Sequence, residues 1–340
     1  MLQKKVTLWE EGEYTRPVLG NFTPFLMTYV HEEDETVRPA IVVVPGGAYS
    51  AVAPTEGEVV AKRFYDKGYN VFVMVYTTNL NMTESALKFQ PLKDVSRGFR
   101  WVRRNAGDLH VNPDQVAICG FSAGGHLSAS LCVHCDAPEL QEAEGPYAGI
   151  SNRPDMAVLS YPVITSGEYA HRDSFTALLG PDATEEELAY VSLEKQVTKD
   201  TPPTFIWTTF TDADVPCENS LLYADALRKA GVQVELHVFG NGPHGMSTAD
   251  DAWACEGLKA YYTIDQMLEI FQYMLDNGIP LPPPFDQAGV LPAGTDVRQL
   301  YTAMMQNPAP VGTPDPGISQ WPELADAWLA KRRAEKENNG

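Results

Sequence analysis

The chain has 340 residues, of which 44% are hydrophobic and 21% charged, the balance of a globular protein able to bury a core without staples. Forty-five acidic against 25 basic residues give a formal net charge of -20. That sign repels phosphate backbones, anionic lipid and acidic polymers, so nucleic acid and membrane surfaces are excluded as partners and neutral substrates stay open.

The N-terminus, Met1-Leu2-Gln3-Lys4-Lys5, runs into Trp9-Glu10-Glu11 without the apolar core of a signal peptide. No apolar run, Ala40 to Val44 included, is long enough to span a membrane. A cytoplasmic protein is the expectation.

Two strand candidates, around residues 5–9 and 24–30, come first and suit an antiparallel edge. Ile41–Val44, Val71–Val75, Val116–Cys119, Met156–Leu159, Thr204–Trp207 and Val234–Val238 then read as strands of nearly continuous apolar character. Such strands fit a parallel sheet covered on both faces. Amphipathic stretches alternate with them. Val59, Val60, Phe64 and Tyr65 recur at helical spacing, as do Val95, Phe99 and Val102. Leu221, Leu222, Ala226 and Leu227 precede Gly231, a helix stop, and residues 264–275 read as a further helix. The alternation predicts right-handed βαβ units in an α/β fold.

Two regions break the rhythm. Residues 163–202 exceed a simple crossover and are expected as a small cap insertion. Residues 280–322 hold ten of the 26 prolines, which argues against regular structure there. A short helix is expected from Pro322 to Ala334. The reading is thus a catalytic domain over 1–279 and a proline-rich C-terminal extension over 280–340, which offers a surface for a homo-oligomer.

Cys119-Gly120-Phe121-Ser122-Ala123-Gly124-Gly125-His126 carries the chemistry. It follows a strand and opens the helix-like run Leu127 to Val133. Gly-x-Ser-x-Gly in that context is the nucleophile elbow, which lifts the Ser122 hydroxyl clear of the sheet and points a helix N-terminus at it. Acyl transfer also needs an oxyanion hole, a base and an orienter for that base. Val44-Pro45-Gly46-Gly47-Ala48-Tyr49 follows a strand, and the amides of Gly47, with Ala48, and of Ala123 are the natural donors. His244, between glycines in Gly242-Pro243-His244-Gly245, is free to point into a cleft and is the expected base. His126 is expected to pack or cap, His110 and His171 to lie at the surface, and His237 to be structural. Asp212 and Asp214 both follow the strand that ends near Thr209. The spacing Asp-x-x-Val-Pro resembles the acid loop of serine hydrolases and favours Asp212, with Asp214 the alternative. Tyr49 and Tyr161-Pro162 are near in topology, and each suits core packing as well as a pocket wall.

The order Ser122, Asp212, His244 is that of α/β-hydrolases. Pro45-Gly46-Gly47-Ala48-Tyr49-Ser50, Gly120-Phe121-Ser122-Ala123-Gly124-Gly125-His126-Leu127, Pro216-Cys217-Glu218-Asn219-Ser220-Leu221 and Pro243-His244-Gly245 resemble the α/β-hydrolase branch of bacterial carbohydrate acetyl esterases. The likeness covers roughly residues 5–278. It implies an α/β-hydrolase fold, with a mostly parallel sheet flanked by helices. It also implies a serine esterase removing acetyl groups from oligosaccharides such as xylo- or manno-oligosaccharides. Pro45 stands where lipase-type members carry histidine, and Ala48 where many carry a third glycine. A prolyl-peptidase-type activity, a general short-chain carboxylesterase and a non-catalytic ligand-binding relative are the alternatives. No cofactor or metal is expected. Cys132-Val133-His134-Cys135 lacks the second ligand pair of a zinc site, and the five cysteines leave one over from any full pairing.

Overall fold

The β-branched and aromatic runs pair into one eight-stranded sheet of order β1-β2-β4-β3-β5-β6-β7-β8. The structure, a computed structural model, describes residues 1–15, 20, 22–80, 85–281, 294–306 and 308–339. The strands are β1 (Lys5–Thr7), β2 (Phe25–Tyr29), β3 (Arg38–Val44), β4 (Asn70–Val75), β5 (Val111–Phe121), β6 (Met156–Ser160), β7 (Thr204–Thr209) and β8 (Val234–Phe239). β1 and β2 are antiparallel to their neighbours, as expected for the edge, and β3 to β8 run parallel. This is the α/β-hydrolase fold.

Alternation along each strand divides the core. Val42, Val44, Ile118, Leu159 and Ile206 face one layer. There they meet α2 (Gln90–Arg104), α3 (Ser122–His134) and α6 (Glu218–Lys229). Ile41, Val43, Cys119, Val158, Phe205 and Trp207 face the other, against α1 (Glu58–Tyr65), α7 (Asp251–Glu256) and α10 (Trp321–Asn339). A two-residue period puts successive side chains on opposite faces. Both faces are covered, which is why the strands read as continuous apolar runs.

The insertion at 163–202 holds α4 (Arg172–Leu179) and α5 (Glu185–Tyr190). Phe175, Leu178, Leu179 and Val191 of this insertion pack on the α2/α3 layer. α8 (Asp265–Asp276) and α9 (Val297–Met304) share a smaller cluster with Leu80 and Leu281.

The C-terminal region departs from the expectation. Pro282, Pro283, Pro284 and Pro292 lie outside the described residues. Beyond them, α9 forms despite the proline density, and α10 is longer than the predicted 322–334. Trp321, Ala325, Trp328 and Leu329, at i, i+4, i+7 and i+8, are buried in the second core layer. α10 therefore closes the face of the sheet that α1 and α7 leave open, and position 279 does not mark a break in packing.

No helix among the described residues is long and apolar enough to cross a membrane. Cys119, Cys132, Cys135 and Cys217 are buried free thiols and Cys255 is exposed.

Candidate active site

The parallel strands deliver their C-terminal ends to one edge of the sheet, where ligand loops of open α/β sheets gather. Val44 of β3 pairs with Gly120 of β5, so the Gly46-Gly47 loop and the elbow leave adjacent strands side by side. Thr209 of β7 pairs with Phe239 of β8, which sets the Asp212 and His244 loops together in the same way.

Ser122 has φ +51°, a left-handed conformation rare for a side chain other than glycine. The crowding explains its flanking glycines. A Cβ on Gly120 would sit 2.2 Å from Ser128 Oγ, and one on Gly124 would sit 2.2 Å from the carbonyl oxygen of Val44. His244 Nε2 lies 2.8 Å from Ser122 Oγ, and His244 Nδ1 lies 2.7 Å from Asp212 Oδ2. The other oxygen of Asp212 accepts the backbone N–H groups of Asp214 at 3.0 Å and Val215 at 2.9 Å. Asp212 is buried, whereas Asp214 is exposed. Of the two acids, it is Asp212 that the structure joins to the imidazole.

Burial disfavours the charged form of His244. The hydrogen bond and charge of Asp212, helped by Glu56 and Asp214, outweigh it, and the imidazole pKa is raised. A proton taken from Ser122 is thereby stabilised on His244.

Gly47, Ala48 and Tyr49 follow one another with φ +114°, +56° and +60°. Two consecutive non-glycine residues in this region hold strain of the kind that clusters at functional sites. The Gly47 carbonyl accepts the amides of Ser50 and Ala51, and the Gly46 carbonyl accepts that of Ala53. The amides of Gly47, Ala48 and Ala123 themselves make no hydrogen bond among the described residues.

Two residues behind the site carry more than the sequence revealed. Glu56 is buried, and its carboxylate accepts the Gly46 N–H and the Tyr161 hydroxyl, each at 2.7 Å. The Tyr161 oxygen accepts the Ser247 N–H at 3.0 Å. Both carboxylate oxygens are acceptors, which suits the ionised form, while burial pushes the Glu56 pKa up. The Tyr161 ring meets the His244 imidazole edge-on, with centroids 4.9 Å apart. Tyr161 is thus neither plain core packing nor a pocket wall, and its φ of +37° is a further positive value, after those of Ser122, Ala48 and Tyr49.

Tyr49 is buried and donates its hydroxyl to His126 Nδ1 at 2.8 Å, while His126 Nε2–H donates to the Val191 carbonyl at 2.9 Å. These partners fix the neutral tautomer, and burial lowers the His126 pKa to about 4. His237 sits in β8 against Phe205. His171, expected at the surface, is half-buried at the start of α4. Burial lowers its pKa, and the charges of His244, Asp212 and Asp214 also act on it. The insertion therefore reaches the catalytic edge.

Two cavities adjoin these elements. One, of about 530 Å³, is lined by His244 together with Thr55, Met246, Trp253 and residues 311–313. The other, of about 210 Å³, is apolar and lies between α2, α3 and the insertion. It touches none of Ser122, Asp212 and His244. No group of three or more potential metal-ligating side chains lies together among the described residues.

Residues 26–227 match the BD-FAE family. The chain belongs to the BD-FAE family. A solved structure of an acetyl ester-xyloside bifunctional hydrolase from Caldicellulosiruptor lactoaceticus superposes with a TM-score of 0.68 at 34% identity. That match covers 81% of this chain and 97% of the other. Endo-1,4-beta-xylanase B of Butyrivibrio fibrisolvens is 43% identical over 261 residues, 77% of this chain. The acetylxylan esterase of Xylanibacter ruminicola is 34% identical over 212 residues, 61% of this chain. This BD-FAE member spans about 40% of the length of each of those two curated relatives. Fold and relatives together place it among the α/β-hydrolases.

Proposed function

We propose that the protein is a serine esterase removing acetyl or other short acyl groups from neutral carbohydrates, with acetylated xylo- or manno-oligosaccharides as the substrate class. The observation that carries this reading is the unbroken line Asp212–His244–Ser122, at 2.7 and 2.8 Å, beside three unpaired amides. The carbohydrate half is supported by the acetylxylan esterase and the acetyl ester-xyloside hydrolase among its relatives. A cytoplasmic setting goes with this reading and is tested by cell fractionation.

Ser122 Oγ attacks the ester carbonyl as His244 Nε2 takes its proton. Asp212 holds the imidazole in the Nδ1–H tautomer and stabilises the imidazolium. The amides of Gly47, Ala48 and Ala123 receive the oxyanion, each donor being worth about 3 kcal/mol. His244 returns the proton to the leaving alcohol. A water activated by the same imidazole then releases the acid and regenerates Ser122.

Acetate release from a panel of acetylated oligosaccharides, with Ser122→Ala as control, tests the proposal. The variant is expected to fold and to lose nearly all turnover of p-nitrophenyl acetate and of the sugar esters. Undiminished turnover would refute the role of Ser122. Including peptide anilides and simple acyl esters separates this reading from the peptidase and short-chain carboxylesterase alternatives.

A further inference from the structure

The proton path fixes on which side of Ser122 each half of the ester lies. The carbonyl oxygen turns to the Gly47, Ala48 and Ala123 amides, and the leaving oxygen must meet His244 Nε2. The alcohol therefore extends past His244. A cavity of about 530 Å³ has His244 in its wall, and its volume is within the roughly 300–1,000 Å³ typical of small-molecule sites. Its lining is Thr55, Pro243, His244, Gly245, Met246, Trp253, Val311, Gly312 and Thr313. Apart from His244, no lining residue is ionisable.

Three elements far apart in sequence build it. Thr55 comes from the turn after the Gly46-Gly47 loop. His244 to Met246 come from the loop after β8. Residues 311–313 come from the C-terminal segment, which is held in place rather than loosely laid. The Val311 N–H donates to the Ala254 carbonyl, and the Asp315 N–H to that of Ala249, both at 2.9 Å. Gly312 lies so close on the indole of Trp253 that a Cβ would sit 2.4 Å from its ring. The hydroxyls of Thr55 and Thr313 make no hydrogen bond among the described residues, although both residues line the space.

We propose that this cavity is the subsite for the alcohol half of the ester. It takes a neutral sugar ring, and residues 311–313 form its specificity wall. The inference rests on the esterase reading above. Two free hydroxyls, an apolar floor of Met246 and Trp253 and the lack of any cation match a sugar that has hydroxyls and no carboxylate. A uronic acid would meet no lysine or arginine here and would enter a chain of net charge -20.

The test compares kcat/KM for monoacetylated xylotriose with kcat/KM for ethyl acetate, whose alcohol is too small to fill the cavity. Thr313→Trp is expected to lower the sugar-to-ethyl ratio by about tenfold or more by filling the space. Thr55→Val removes one hydroxyl at constant shape and is expected to lower it by about threefold. A xylo-oligosaccharide bearing glucuronic acid on the acetylated ring is expected to be the poorer substrate. If both variants keep the thermal melting and the ratio of the unsubstituted protein, the subsite is misassigned while the esterase reading stands. Equal turnover of the glucuronic acid ester would overturn the neutral-ring assignment. If the unsubstituted protein cleaves ethyl acetate and no sugar acetate, the carbohydrate reading falls and this proposal with it.

Discussion

Tyr161 donates its hydroxyl to the buried carboxylate of Glu56 at 2.7 Å, in the space between the oxyanion loop and the histidine loop. Through Gly46 N–H on one side and Ser247 N–H on the other, this pair ties the loop that holds the proposed oxyanion amides to the loop that holds the proposed base. Glu56→Gln keeps the shape and removes a charge that raises the His244 pKa. The acid limb of kcat/KM is then expected to move to lower pH, with kcat reduced about tenfold. Tyr161→Phe leaves the Ser247 N–H and one carboxylate oxygen unpaired, a cost of about 1–3 kcal/mol. It is expected to lower kcat without a comparable shift of the limb. A pH profile of Glu56→Gln identical to that of the unsubstituted enzyme would leave Glu56 as scaffold alone.

The two aspartates make a second comparison. His244 must be neutral to accept the Ser122 proton, and its pKa is raised, so activity is expected to fall with acidification at a pH above the ordinary histidine value of about 6.5. Asp212→Asn removes the raising hydrogen bond and charge and leaves burial, which lowers the pKa. The limb should move down while kcat drops on the order of 10⁴-fold, the size of effect such a substitution has in a serine protease. Asp214→Asn should cost less than about threefold, because only its charge reaches the imidazole. Larger damage from Asp214→Asn, with both variants folded, would reverse the assignment of the orienting acid.

His126 offers a spectroscopic check on the tautomer argument. Labelled-histidine NMR should show a neutral Nε2–H imidazole that titrates near pH 4. Its folded pKa lies below the unfolded value of about 6.5. The unfolded chain therefore binds the proton first as pH falls. Stability is lost between about pH 6.5 and 4, by about 3 kcal/mol from this group. An imidazolium observed at pH 6 in the folded protein would contradict the Tyr49–His126–Val191 bonding.

Trp321 is fully buried, stacks on Trp207 at 5.4 Å and donates its indole N–H to the Ser247 carbonyl at 2.7 Å. Trp321→Ala is expected to cost about 3–5 kcal/mol, read as a lower midpoint in urea. Because Ser247 is three residues from His244, kcat should fall as well, even where the variant remains folded. Removal of residues 309–340 should abolish cooperative unfolding. A truncated chain that melts and turns over as the full one does would restore the view of an appendage.

The strands and the Ser122, Asp212 and His244 positions were legible because each is announced locally. A strand–turn–helix carries its glycines within five residues, and the acid and base loops each follow an apolar run. Glu56 was not legible, because its partners lie 10 and 105 residues away and a single acid at a helix start has an ordinary local explanation. His171 was misread because polar neighbours in sequence say nothing about the loop that covers it. α10 is legible as a helix over 322–334, but its full length and its burial in the second core layer are not. Proline density suggested an extension, yet Pro322 occupies the first turn, where a missing N–H costs nothing. The apolar positions of α10 acquire meaning only against Phe205, Trp207 and Phe121, from strands more than 100 residues earlier.

That one face of the sheet is closed by α10, more than 100 residues after β7, also sets an order of events during synthesis. While β3 to β8 emerge from the ribosome, Phe205 and Trp207 lack the cover of Trp321 and Trp328, which are still in the tunnel or unmade. The nascent chain exposes that aromatic surface until residues 321–329 have been made and released, and in that interval chaperone capture or aggregation competes with folding.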